Sequence, residues 1–193
     1  MAKTLKIYLF RHGQTTYNRD EKFTGFHNPP LTSLGLQQAK TIANKLKNKK
    51  FQLAFQTKLK RSKQTLSAVL KYHPECKKIL TDNRMIERNY GSLNGTSHSD
   101  FINKFGIDKY NAIHRGYNTP PPKGESFATI ESRVRPFLKD LIKLIKKQKV
   151  NVAISAHGNS IRLFRKLMEH SSIKKTTSWF IPYDKVFVYS IKA

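Results

Sequence analysis

Two apolar, β-rich runs end in the same abrupt way, and this repetition constrains the fold more than any other feature of the chain. LKIYLF (5–10) passes directly into Arg11-His12-Gly13, and NVAISA (151–156) passes into His157-Gly158-Asn159. Between them the pattern alternates. Thr32 is placed to cap a helix whose apolar positions are Leu36, Ala39, Ala43 and Leu46. FQLAF (51–55) reads as a second strand, followed by a helix through Leu59, Leu66, Val69 and Leu70, with a shorter strand near Lys78–Leu80. A long amphipathic helix from Ser126 to about Lys147 is written by Phe127, Ile130, Val134, Leu138, Leu141 and Ile145. Pro136 inside it predicts a kink or a locally broken hydrogen bond. A helix through Ile161, Phe164 and Leu167 and a last strand, VFVYSI (186–191), complete the pattern.

Strands alternating with helices predict an α/β fold: one domain over 1–193, with a mainly parallel central sheet flanked by helices. Ligands of such sheets bind beyond the carboxyl ends of the strands. If the first and third strong strands are central neighbours, two histidines and an arginine meet at one edge of the sheet. The stretch 87–124 carries Gly91, Gly95, Gly106, Gly116 and Pro120-Pro121-Pro122, and reads as a loop-rich insertion covering a substrate.

The 193 residues are enough to bury a core, and no apolar run approaches the length of a membrane span. MAKTLKIYLF reads as a first strand and not as a signal peptide. Cys76 has no internal disulfide partner, which fits a reducing cytoplasm. The net charge of +25 predicts attraction to polyanions, with nucleic acid and small phosphorylated metabolites as candidates, or lysines that merely decorate solvated faces. No nucleic-acid-reading motif accompanies the charge, so nucleic acid is disfavoured as a partner. The clusters Lys45–Lys50 and Lys143–Lys149 fall at helix C-termini, where cations complement the helix dipole.

Phosphoryl transfer through an enzyme nucleophile needs the nucleophile itself, cationic donors around the phosphoryl oxygens, and a proton source for the leaving oxygen. A neutral imidazole needs no deprotonation, and arginine offers a permanent planar fork of donors. A lone histidine at a strand end is more commonly a cap. His12, between Arg11 and Gly13 in a loop with Thr15, Thr16 and Asn18, is the candidate nucleophile. His157 stands before Gly-Asn-Ser, whose amides can bind an anion at a helix start. The proton source is either a carboxylic acid or a second histidine.

The ordered blocks RHGQTTYN (11–18), KFTGF (22–26), LTSLGLQQA (31–39), KLKRSKQT (58–65), ERNYGSLNG (87–95), PPPKGES (120–126), AHGNSIR (156–162) and IPYDKVFVY (181–189) resemble the histidine phosphatase superfamily. Within it they resemble the cofactor-dependent phosphoglycerate mutases, along nearly the whole chain. The resemblance implies that His12 becomes phosphohistidine, that Arg11, Arg61 and His157 bind its oxygens, and that Glu87 carries the proton. It implies that Asn18, Thr24, Gly25, Gly158 and Asn159 line the phosphate and substrate pocket, with Arg88, Tyr90 and Arg115 holding the substrate. It also implies 2,3-bisphosphoglycerate as phosphoryl primer and no metal.

Three positions depart from the mutase pattern. Gln14 stands where mutases usually have Glu, His98 where they place a substrate-binding lysine, and His114 where the first of two neighbouring arginines is expected. The chain also stops just past its last strand, without the tail that closes over the site in longer mutases. A mutase is the first expectation and a phosphatase acting on a small phosphorylated metabolite the second. A non-enzymatic basic module is the third; a homo-oligomer is open in each case.

Overall fold

The computed structural model describes residues 4–192. Residues 1–3, the start of the expected first strand, lie outside that range. Strand β1 (Thr4–Arg11) is followed by a one-turn helix α1 (Thr16–Arg19) and by α2 (Ser33–Leu46). Then come β2 (Leu53–Gln56), α3 (Lys60–Leu70) and β3 (Lys78–Thr81). The second half runs α4 (His98–Phe105), α5 (Ile107–Arg115), α6 (Phe127–Gln148), β4 (Val152–Ala156), α7 (Gly158–Glu169), α8 (Ile173–Ser178) and β5 (Val186–Lys192).

The strands order β3-β2-β4-β1-β5, parallel throughout except for β5, which runs antiparallel to β1. This is the expected mainly parallel sheet. Its centre is apolar on both faces because both are covered. Leu5, Ile7 and Leu9 of β1 pack with Val152 and Ile154 against α6 and α7. Tyr8 and Phe10 point the other way, onto Ile42, Ala43 and Leu46 of α2 and Leu66 and Val69 of α3. Each fully buried Ile, Leu or Phe contributes roughly 1.5–3 kcal/mol. The centre of the sheet is therefore the rigid part of the molecule.

The pairing Arg11↔Ala156 ends β1 and β4 level with one another, and the His12 amide donates to Ala156 O at 3.1 Å. His12 and His157 thus leave neighbouring strands side by side. Gly13 and Gly35 permit the turn that follows. A Cβ on Gly13 would lie 2.1 Å from Gly35 O, and one on Gly35 would lie 2.0 Å from Gln14 O.

That contact also corrects the expected face of α2. Thr32 caps the helix as expected, its hydroxyl accepting the Gly35 amide. The buried stripe is Gly35, Ala39, Ile42, Ala43 and Leu46, whereas Leu36 is 51% exposed. With Gly35 pressed against the loop that follows β1, its neighbour Leu36 is turned about 100° away.

The stretch 87–124 is less irregular than expected. Ser97 caps α4 by accepting the Asp100 amide, and Gly106, at φ 84°, joins it to α5. The two helices bury Phe101 and Ile113 with Phe23, Tyr90 and Leu93 in a small core of their own. Glycines that read as loop are the joints of a helical cap. Helix α6 runs unbroken for 22 residues through Pro136. Pro136 has no amide to donate to the Ser132 carbonyl, and both residues are exposed, so the missing bond lies on the solvent face. Both lysine clusters fall at helix ends, as expected. No described helix is long and apolar enough to cross a membrane.

Candidate active site

His12 is only 1% exposed and held at both ring nitrogens. Nδ1 lies 2.7 Å from Gly13 O, and Arg61 Nε donates to Nε2 at 3.2 Å. A guanidinium N–H only donates, so Nε2 carries the lone pair and Nδ1 the proton. Burial, then the charges of Arg61 and Arg11, hold the imidazole well below its usual pKa, so it is neutral. Arg61 is fully buried on α3. Its Nη1 donates to His27 O at 2.6 Å and its Nη2 to Gly25 O at 2.8 Å. Desolvation lowers its pKa to about 10, which leaves it charged at neutral pH.

The His157 ring centroid is 5.0 Å from that of His12, and its Nε2 is 2.8 Å from Thr57 Oγ1. Burial and the neighbouring arginines push its pKa well down too. His157 Nδ1 and Arg11 Nε are buried with no hydrogen-bond partner among the described residues. Unpaired buried polar groups are costly, and two of them beside a neutral imidazole suit the oxygens of an incoming oxyanion. Arg11 is otherwise fixed by Nη1 donating to Ile181 O at 2.9 Å.

Glu87 is brought in by the segment after β3. Its Oε1 accepts the Arg88 amide at 2.8 Å and the Asn159 amide at 3.1 Å, in the first turn of α7. No hydrogen bond from the described residues engages its other oxygen. Ligand atoms of His12, Glu87 and His157 lie within 4.8 Å of one another, a spacing open to a metal ion. The arginines that keep both imidazoles neutral also oppose a cation there, and the local field favours an anion.

A cavity of about 310 Å³ meets this cluster at Arg11 and Glu87, while His12, Arg61 and His157 lie behind its lining. Arg11, Glu87, Gly158 and Asn159 form the wall nearest the nucleophile, and Asn18 and Thr24 come from the loop side. Tyr90, His98, His114 and Arg115 line the side contributed by 87–124, so all these expected pocket residues are brought together. Two are not in the wall. Gly25 acts through its carbonyl on Arg61. Arg88 lies behind the wall, fully buried, with Nε bonded to Glu125 O and Nη2 to Thr119 O. These two bonds tie it to the 87–124 stretch, and its Nη1 is buried with no partner among the described residues.

The His98 and His114 rings lie 5.4 Å apart, tilted by 47°, with Tyr110 and Phe23 beside them. Burial, then the nearby Arg115, lowers His114 to about 3, and burial lowers His98 as well. Both are neutral at pH 7, as their ordinary values also imply. Gln14 does not line the cavity; its Oε1 accepts the Thr32 hydroxyl.

Three contributors escaped the sequence reading. Arg162 lines the cavity with Nη1 donating to Asn159 Oδ1 at 2.6 Å. Its signal was its place three residues after Asn159, on the same helix face. Thr57, at the end of β2, orients His157. Tyr183 lies in the connection to β5, inside the block 181–189, which the sequence reading used for the resemblance without giving this residue a role.

The histidine phosphatase superfamily (branch 1) family model matches residues 7–192. The 2,3-bisphosphoglycerate-dependent phosphoglycerate mutase of Methylorubrum extorquens (strain PA1) is 31% identical over 190 residues, covering 97% of this chain and 90% of that protein. The phosphoglycerate mutase of Schizosaccharomyces pombe is 35% identical over 162 residues, covering 81% and 75%. Among solved structures, the alpha-ribazole phosphatase from Shigella flexneri superposes with a TM-score of 0.82 at 20% identity, covering 98% of this chain and 95% of that one. Phosphoglycerate mutase from Bacillus anthracis str. Sterne gives 0.78 at 21% identity, covering 99% and 89%. At those identities the two structures share the fold alone. The match over residues 7–192 and the mutase relatives lead to one conclusion: this chain belongs to the histidine phosphatase superfamily.

Proposed function

We propose that this chain is a 2,3-bisphosphoglycerate-dependent phosphoglycerate mutase, interconverting 3-phosphoglycerate and 2-phosphoglycerate through a phosphohistidine at His12. The observation that carries the proposal is a cavity lined by three arginines from separate elements. Arg11 comes from the end of β1 beside His12, Arg115 from α5 in the 87–124 stretch, and Arg162 from α7. A phosphorylated carboxylic acid has two anionic groups to match them. The mutase relatives above support the same reading.

The bisphosphate's part is to supply the phosphoryl group that charges His12; Arg11, Arg61 and His157 are the residues that hold it. Phosphohistidine then passes its phosphoryl group to the 2-hydroxyl of 3-phosphoglycerate. The P–N bond breaks, a P–O bond forms, and Glu87 takes the hydroxyl proton. After the glycerate turns, His12 Nε2 attacks the 3-phosphoryl group, and Glu87 returns the proton to the departing oxygen. An entering phosphoryl oxygen takes over the Arg61 Nε donor that now caps Nε2. With His157 Nε2 paired to the Thr57 hydroxyl, the tautomer protonated at Nδ1 presents that nitrogen to the oxyanion as a donor.

A second reading, a phosphatase acting on a small phosphorylated metabolite, is favoured by the neutral His98 and His114, which add no charge to that of the arginines. Incubation with 3-phosphoglycerate, with and without the bisphosphate, separates the two. Bisphosphate-dependent 2-phosphoglycerate is the expected product; phosphate release without it would replace the mutase by the phosphatase. We place the protein in the cytoplasm, where the single Cys76 stays reduced.

A further inference from the structure

The segment joining α8 to β5 runs along the cavity wall and is held by cations from three other elements. Arg162 Nε donates to Trp179 O at 2.8 Å, Arg11 Nη1 to Ile181 O at 2.9 Å, and Lys45 Nζ to Asp184 O at 2.6 Å. Tyr183 in this segment places its ring centroid 3.9 Å from Arg11 Cζ. Its edge faces the His12 ring, with centroids 6.4 Å apart. Gly158 also abuts the guanidinium: a Cβ there would lie 3.4 Å from Cζ and 3.5 Å from Nε. The guanidinium therefore has Tyr183 stacked on it, Gly158 against it, and one nitrogen used by Ile181 O.

What remains for a ligand is the edge bearing Nε and Nη2, and Nε is buried without a partner. A guanidinium tied by one hydrogen bond rotates about its remaining bonds, and a ring stacked on its face fixes the plane. We propose that Tyr183 is a positioning residue for phosphoryl transfer. Its ring is the platform that holds Arg11 with the Nε–Nη2 edge open to the phosphoryl oxygens. The proposal rests on the phosphohistidine reading of His12 and stands whether the acceptor is glycerate or water.

The test compares the full chain with Tyr183→Phe and Tyr183→Leu. Inorganic phosphate binding is measured by isothermal titration calorimetry, and kcat and KM by whichever activity on 3-phosphoglycerate the parent shows. Tyr183→Leu is expected to raise the phosphate Kd roughly tenfold, with KM rising and kcat falling. Tyr183→Phe retains the platform and stays within about threefold of the parent on each measure. A purely structural role would lower the melting temperature while leaving the phosphate Kd of the folded variant unchanged. Melting curves identify a Leu variant that fails to fold, and Tyr183→Met then replaces it. Parent-like phosphate binding in the ring-less variant would overturn the proposal. So would a loss in Tyr183→Phe as large as in Tyr183→Leu, or a parent that binds no phosphate. A parent that binds phosphate yet leaves 3-phosphoglycerate untouched would sink the mutase assignment, and the phosphate arm would still test Tyr183.

Discussion

Acidification from pH 7.0 to 5.5 should destabilise this protein far more than its surface charges imply, because the site buries neutral histidines. His12 and His157 are held well below their ordinary pKa, and His114 is lowered to about 3, in each case first by burial and then by neighbouring arginines. In the unfolded chain all three titrate near 6.5. Between those limits the unfolded state binds protons that the folded state refuses, so stability falls as pH falls through 6.5. Over this interval each histidine costs roughly 1.2 kcal/mol, and the three together about 4 kcal/mol. That is a large part of the ~5–15 kcal/mol typical of a domain, and corresponds to a melting point lower by roughly 10 °C. The carboxylates held low by ion pairs, such as Asp82 and Glu169, add to the loss only at more acid pH. Guanidinium chloride unfolding at pH 7.0, 6.5, 6.0 and 5.5 measures the slope, and His114→Gln should flatten it by about a third of the histidine contribution. A parent whose unfolding free energy is level across the interval would refute the reasoning, as would a His114→Gln slope equal to that of the parent.

His12→Ala should form no acid-labile phosphoenzyme, as read by radiolabel transfer; retained turnover would move the nucleophile elsewhere. Glu87→Gln should slow transfer by roughly 10²–10⁴ while leaving inorganic phosphate binding near that of the parent, and an unchanged single-turnover rate would assign the proton to another group. EDTA should leave turnover unchanged; a metal requirement would give the His12, Glu87 and His157 cluster a different chemistry. Gly35→Ala should destabilise by roughly 1–3 kcal/mol despite the better helix propensity of alanine, since its Cβ would meet Gln14 O at 2.0 Å. An unshifted melting curve would show that the catalytic loop yields to α2 without strain.

What was legible in the sequence was what local pattern encodes. The runs before His12 and His157 carry their own strand signal. Their adjacency was only a condition in the sequence; the strand order of the structure supplies it, with Arg11 paired to Ala156. Leu36 was misplaced because helical periodicity does not set its own phase. Gly35 sets it, through a contact with Gln14 made only after folding. Helices α4 and α5 were hidden for a related reason. Gly106 reads as a loop in isolation, yet with φ at 84° it closes one helix and opens the next. The same division runs through the site. His12, Arg61 and His157 could be assigned from their blocks, whereas Tyr183, though inside the block 181–189, and Thr57 show their contacts only through partners far along the chain, Arg11 and His157. The anion-binding geometry depends on those distant partners as much as on the blocks. Arg11 supplies the charge, but its orientation is set by Gly158 and by a segment that also rests on Arg162 and Lys45. A change at Lys45, outside the cavity, would therefore reach the phosphoryl group only by moving the segment that carries Tyr183.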